Sequence, residues 1–290
     1  MSSTRILSAT AAASPIHPLK AGSTCALISP TNLAPTNPKA AFGCPLGRVP
    51  YGPAWDLQRT LKDRLLTARR NRELLPHFVL LVEHLPVYTM GKSGQAQHLL
   101  LNADRRVDQG IEYFEIGRGG DITYHGPGQL VVYFLLDLNR FYRDLHRFMR
   151  DLEEIVIRTL ASWGIAGYRV SGRTGVWVGP AGQEKKICAF GIRCSRWVTM
   201  HGLALNINTN LAYFDHIIPC GISDRGVTSF QTELNFRCDL AAVSRVLCSH
   251  FAHVFGADME LLDEPDAYDV LESVIDVPDL GNTLQSQPFS

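Results

Sequence analysis

Apolar residues recur in two rhythms along this chain. Leu57, Leu61 and Leu65 fall every fourth residue, which places them on one face of a helix. From Leu145 onward Phe148, Met149, Leu152, Ile155, Val156 and Leu160 keep the same period. Gly164 supplies the stop, because glycine closes a helix in the left-handed conformation. Val243, Val246, Leu247, Phe251 and Val254 predict a third helix. Between these lie short, nearly continuous apolar runs at 78–82 and 129–138, the pattern of strands buried on both faces. Shorter strands are predicted at 175–178, 186–193 and 201–207. Helices alternate with strands and no repeat is visible. The pattern predicts an α/β (α+β) fold, a mixed sheet with packed helices, in one catalytic domain over residues 46–260.

The two ends differ from this middle. The first fifty residues contain no Asp or Glu, few cations, and many Ser, Thr, Ala and Pro. Such a segment buries too little apolar surface to order itself, so residues 1–45 are predicted to be a disordered extension. A transit peptide shares the lack of acids and is the other reading. Residues 261–290 turn acidic and then polar, and are predicted to be a loose tail.

Composition removes several functions. Lys+Arg and Asp+Glu are both 28, so the basic excess of a nucleic-acid binder is missing. The longest apolar runs, such as 130–136, fall far short of the roughly 20 residues that cross a bilayer, so no membrane role is expected. Seven cysteines, an odd number without C-x-x-C spacing, argue against a disulfide framework or structural zinc, and for a reducing compartment.

Three segments carry more glycine and polar residues than a core requires. The first, 117–129, holds five glycines together with Arg118, Thr123, Tyr124 and His125. Glycine lets backbone approach a ligand closely, and an arginine can hold a carboxylate or phosphate. Thr123 and His125 share one side if the piece is extended, since strand side chains alternate. The competing reading is a tight loop with His125 as a framework residue. In the second, Lys186 opens an apolar run, where desolvation lowers a lysine pKa and suits it to act as a base; a solvated strand end is the plainer reading. Cys188 there reads as a small core residue. The third includes His201-Gly202-Leu203-Ala204-Leu205-Asn206 and then Cys220, set in a turn between Pro219 and Gly221. A thiol needs a nearby cation or base to become a nucleophile, and Lys186, His201 and His125 are available. Zinc held by Cys188, Cys194, His201 and Cys220 is the competing idea, weakened by irregular spacing.

Taken in order, these pieces resemble the lipoyl(octanoyl) transferase family. The resemblance begins at Glu83-His84-x-Pro86-Val87-Tyr88-Thr89-x-Gly91. It continues through Arg118-Gly119-Gly120-x-x-Thr123-Tyr124-His125-Gly126-Pro127-Gly128-Gln129 and Thr174-Gly175-Val176-Trp177. It ends with Lys186-Ile187-Cys188-Ala189-x-Gly191-Ile192-Arg193, the 201–206 segment and Pro219-Cys220-Gly221. It implies the fold of biotin and lipoate protein ligases. It implies transfer of octanoyl from octanoyl-acyl carrier protein to a lysine of a lipoyl domain, with Cys220 as acyl-thioester nucleophile and Lys186 as general base. Arg118, Gly119, Gly120, Thr123, Tyr124, His125, Gly191, His201, Gly202 and Ala204 would bind substrate. The acceptors implied are the lipoyl domains of 2-oxoacid dehydrogenase E2 subunits and the glycine cleavage H protein. No cofactor and no metal is implied, because a thioester is already activated.

Moving an acyl group between thiols conserves its activation, which is why a cysteine suits this chemistry better than a serine. The alternative is an ATP-dependent lipoate- or biotin-type ligase, which needs no covalent thioester. The expected compartment is the cytoplasm, or the mitochondrion if the N-terminus is a transit peptide.

Overall fold

Strands apolar on both faces need cover on both sides, and the chain order provides it. In the computed structural model, residues 20–21, 35–218, 226–284 and 289 are described. Strands β1 (Lys20–Ala21) and β2 (Ala40–Val49) precede helix α1 (Tyr51–Asn71). There follow β3 (His77–His84), β4 (Val87–Met90), α2 (Ala103–Asp108), β5 (Glu112–Glu115), β6 (Thr123–His125) and β7 (Gln129–Leu135). Helix α3 (Leu145–Ser162) leads into β8 (Val176–Val178), β9 (Lys185–Ser195) and β10 (Val198–Asn206). Then come α4 (Phe230–Leu234), α5 (Leu240–Phe255), β11 (Asp258–Leu261), α6 (Glu264–Ile275) and α7 (Leu280–Leu284).

The main sheet has the order β1-β11-β2-β3-β7-β10-β9-β8. Pairing is parallel from β1 to β3 and antiparallel from β3 to β8. It is the mixed sheet that the sequence pattern predicts. A smaller sheet, β5-β4-β6, lies beside it. All eight residues of β3 and all seven of β7 are buried, as their unbroken apolar runs require.

Two apolar layers sandwich the main sheet. On one face Phe148, Leu152 and Val156 of α3 meet Val243, Leu247 and Phe251 of α5 over Val79, Leu81 and Val132. On the other, Leu57, Leu61 and Leu65 of α1 and Leu271 and Val274 of α6 cover Phe78, Leu80 and Val131. Each fully buried side chain of this size stabilises the fold by about 1.5–3 kcal/mol. Local chemistry sets the helix ends. Asp144 accepts the Arg147 N–H at the start of α3, and Gly256, with φ +59°, closes α5 in the left-handed conformation.

Both ends of the chain depart from expectation. Order begins before residue 46, because Ala40–Val49 is a central strand with neighbours on either side. Backbone of residues 20–21 adds a further strand against β11. The rest of the N-terminal segment up to residue 34 lies outside the described residues. The expected loose tail is instead α6 and α7, whose Ala267, Leu271, Val274, Leu280 and Leu284 close the second core. Acidic composition hid them, but Glu264, Pro265 and Asp266 are what a helix N-terminus favours.

Cys44, Cys188 and Cys248 are buried, and burial drives their thiol pKa values upward, that of Cys248 to about 12. They are core residues, as read for Cys188 from its apolar neighbours.

Candidate active site

A cavity of about 410 Å³ lies between β9, β10 and the smaller sheet, with Tyr51 of α1 in its lining. Small residues form its floor. Register pairs Gly202 with Gly191 and Ala204 with Ala189, so the sheet surface there carries almost no side-chain bulk. At Gly191 a Cβ would lie 2.8 Å from Arg118 Cδ and 3.0 Å from the Gly119 carbonyl, so only glycine lets the 118–120 loop settle on the sheet. The Gly119 N–H bonds the Ile192 carbonyl at 2.9 Å and holds that approach.

Arg118, Gly119, Gly120, Thr123, His125, Lys186, Gly191, His201, Gly202 and Ala204 all line this cavity, although the chain spreads them over almost ninety positions. Tyr124 does not. Alternation in β6 sends it to the opposite side, where its ring stacks on Tyr213 at 4.6 Å between centroids. Among the described residues Tyr124 thus lies outside this cavity.

Polar groups beneath the cavity form a chain with assignable donors. Arg118 Nη2 donates to the Thr89 carbonyl at 2.7 Å and to Thr89 Oγ1 at 3.0 Å. The guanidinium expected to bind a ligand anion thus ties the loop between β5 and β6 to β4 of the smaller sheet. The Thr89 hydroxyl donates to His125 Nε2 at 3.4 Å, and His125 Nδ1–H to Gln129 Oε1 at 2.8 Å. The Gln129 amide donates to the Tyr124 carbonyl and to Asn206 Oδ1, and Asn206 Nδ2 donates to the Thr228 carbonyl at 3.0 Å. Glu83 accepts the Gly128 N–H, and His84 bridges the Val49 carbonyl to the Tyr133 hydroxyl. The Glu83-His84 motif therefore acts as framework.

Three buried imidazoles are neutral here. Burial is the main cause for each, holding His84 at about 4, His201 at about 3 and His125 well below the ordinary value. The Arg118 guanidinium adds to the depression at His201 and His125. His201 interrupts β10 with φ +61°, and its freed N–H is taken by Gln58 Oε1 at 2.9 Å. Its buried Nε2 has no hydrogen-bond partner among the described residues.

Lys186 is the second residue of β9 and is half-buried, with Nζ 4.8 Å from the centroid of the Trp177 ring. A cation over an indole face is held electrostatically while its stem stays in apolar surroundings. The Lys186 N–H bonds the Gly226 carbonyl and its carbonyl accepts the Thr228 N–H, both at 3.0 Å. Cys220 lies outside the described residues. Six positions separate it from Gly226, at most about 20 Å of chain. Among the described residues no group of three His, Cys, Asp or Glu is placed to hold a metal ion.

Sequence reasoning missed Tyr51, Tyr133 and Trp177 in the lining and Gln58 beneath it. Gln58 carried a signal, since it falls beside Leu57 and Leu61 on the apolar face of α1.

The site is therefore a cavity over small residues with a lysine in its wall, set on a sheet flanked by two helical layers. Residues 53–252 match the profile of the lipoyl protein ligase A/B catalytic domain. The chain belongs to that family. Within it, relatives are octanoyltransferases. That of Flavobacterium johnsoniae is 47% identical over 222 residues, covering 74% of this chain and 96% of its own. That of Bacteroides fragilis is 46% identical over 200 residues, 69% of this chain and 90% of its own. The chain is an acyltransferase of the lipoyl(octanoyl) transferase family. Among solved structures, the bipartite lipoate protein ligase of Thermoplasma acidophilum aligns with TM-score 0.58 at 16% identity, over 86% of this chain and 98% of that one. Lipoate-protein ligase A bound with ATP aligns with TM-score 0.55 at 14% identity, over 82% and 99%. These share the expected fold.

Proposed function

We propose that this enzyme moves octanoyl from the thioester of octanoyl-acyl carrier protein to a lysine of a lipoyl domain, through a thioester on Cys220. The observation that carries the reading is Lys186 in the wall of the cavity, with its backbone bonded to residues 226 and 228, just beyond Cys220. In the first half-reaction Lys186 takes the Cys220 proton. The thiolate attacks the thioester carbonyl, and the carrier thiol leaves with a proton. In the second, the acceptor amine attacks the enzyme thioester, Lys186 removes its proton, and Cys220 leaves as thiol. The floor of Ala189, Gly191, Gly202 and Ala204 leaves room for an unbranched chain. No adenylate is needed, because the donor bond is already activated. E2 lipoyl domains and the glycine cleavage H protein are the proposed acceptors.

The catalytic unit is proposed to span residues 40–284, since the sheet and both apolar layers need those limits. The bacterial relatives and the free cysteines among the described residues support a cytoplasmic location.

Intact mass spectrometry tests the chemistry. The octanoyl mass is expected on wild type mixed with octanoyl-acyl carrier protein, before any acceptor or ATP is added, and absent from Cys220→Ala. Lys186→Ala is expected to slow both half-reactions by about 10²–10⁴-fold, the usual range for a lost general base. An adduct that maps to Cys188, Cys194 or Cys238, or transfer that requires ATP, would sink the reading and favour the ligase alternative.

A further inference from the structure

Glu153 is fully buried in the middle of α3, where the sequence reading placed only apolar positions. A buried carboxylate is costly unless every lone pair is used. Here Oε2 accepts from Arg150 Nη1 at 2.7 Å and from Arg169 Nε at 3.1 Å. Oε1 is spent on a backbone group, accepting the Gly175 N–H at 3.1 Å.

Gly175 is the residue that meets Lys186. It has φ +137°, a conformation that favours glycine, and a Cβ built there would lie 3.2 Å from Lys186 Cε and 3.1 Å from the Cys188 carbonyl. The Gly175 backbone therefore lies flat against the lysine stem. Its neighbours Arg173 and Thr174 line the cavity, and Trp177 two residues on lies under the lysine Nζ. β8 pairing with β9 and the Trp177–Tyr168 bonds hold the far end of this segment, and the Gly175 N–H ties its turn to one buried carboxylate on α3. Arg150 and Arg169, both partly exposed, hold the other oxygen of that carboxylate and so fix its direction.

We propose that Glu153 is a positioning residue: through the Gly175 N–H it holds the 172–177 wall against the stem of Lys186 and so fixes where the lysine amine sits in the cavity. This rests on the reading of Lys186 as the base. It also explains a glutamate among the buried, mostly apolar positions of α3, which stability alone does not favour, because buried ion pairs are often matched or bettered by apolar residues.

The test measures Lys186 directly. Wild type and Glu153→Ala, matched for fold by circular dichroism, are treated with formaldehyde and cyanoborohydride, and methylation of Lys186 is quantified by peptide mass spectrometry. The exposed neighbour Lys185 serves as the internal standard. Loss of the carboxylate should free the wall, so Lys186 methylation relative to Lys185 should rise about fivefold or more. kcat should fall about tenfold or more with the donor KM nearly unchanged, the pattern of a misplaced catalytic group. Glu153→Gln keeps a carbonyl for the Gly175 N–H and should return Lys186 methylation toward wild type. Should Glu153→Ala fail to fold, Gly175→Ala supplies the second arm, since its methyl group would push on Lys186 Cε without touching Glu153. A folded Glu153→Ala or Gly175→Ala with wild-type methylation and kcat overturns the proposal. If Lys186→Ala transfers at the wild-type rate, it is the general-base reading that fails, and the methylation ratio still decides whether Glu153 places the lysine.

Discussion

At His201 the backbone pays for a side-chain direction. Strand alternation would send residue 201 away from the cavity, whereas φ +61° turns the imidazole into it, at a cost of about 1–3 kcal/mol for a non-glycine residue. Asparagine enters the left-handed region more readily than most residues but is too short to reach as far. His201→Asn is therefore expected to unfold at the same urea concentration as wild type or higher, while octanoyl transfer slows at least about tenfold, a stability–activity trade-off. A variant that is destabilised yet fully active would show that the imidazole serves the fold alone. Single residues were unevenly legible. Thr123 and His125 on a common side followed from the strand period, and the same rule, applied to Tyr124, places its ring on the opposite side. Glu153 gave no signal, because a glutamate within a helix ordinarily reads as a solvated position.

At the scale of elements, four neutral histidines sit in or beside β3, β6 and β10. His77, His84, His125 and His201 all have folded pKa values below the ordinary 6.5, chiefly through burial. A depressed folded pKa means that the unfolded chain binds the proton first. Their contribution is complete above about pH 6.5 and is lost as pH falls toward the folded values near 4 for His84 and 3 for His201. Each contributes a slope of about 1.4 kcal/mol per pH unit below pH 6.5. The urea midpoint should fall steeply between about pH 6.5 and 5, where carboxylates still contribute little, and less steeply in His201→Asn. A flat midpoint over that interval would contradict the burial of these rings as neutral groups. Long helices and the central strands were legible because their apolar periods are strong. The smaller sheet was not, since Val87–Met90 is buried along its whole length and too short to show a period. Nor was α6, whose acidic first turn resembles a solvated tail.

For the whole molecule, the closing elements matter more than composition suggests. The Tyr268 hydroxyl of α6 donates to the Leu46 carbonyl of β2 at 2.9 Å, and α6 covers the same apolar layer as α1. A chain that stops at Leu262 loses that cover and is expected to be insoluble or to melt many degrees lower by calorimetry. A chain that starts at residue 35 keeps β2 whole and is expected to retain transfer and most of its Tm. One that starts at Gly43 severs Ala40, Ala41 and Phe42 from β11 and is expected to lose stability. Equal melting of the starts at 35 and 43 would show that this pairing is energetically idle.

The parallel pairing of Ala40–Gly43 with Asp258–Leu261 joins positions more than two hundred residues apart. On a ribosome the chain emerges N-terminus first, at about 5–20 residues per second, so β2 waits roughly ten seconds or more with one edge unpaired before its partner exists. An open, apolar strand edge recruits other strands, and nascent copies on one message are close neighbours. Translation speed, and whatever shields β2 in that interval, thus governs how much of this enzyme reaches the folded state, independently of how stable that state is.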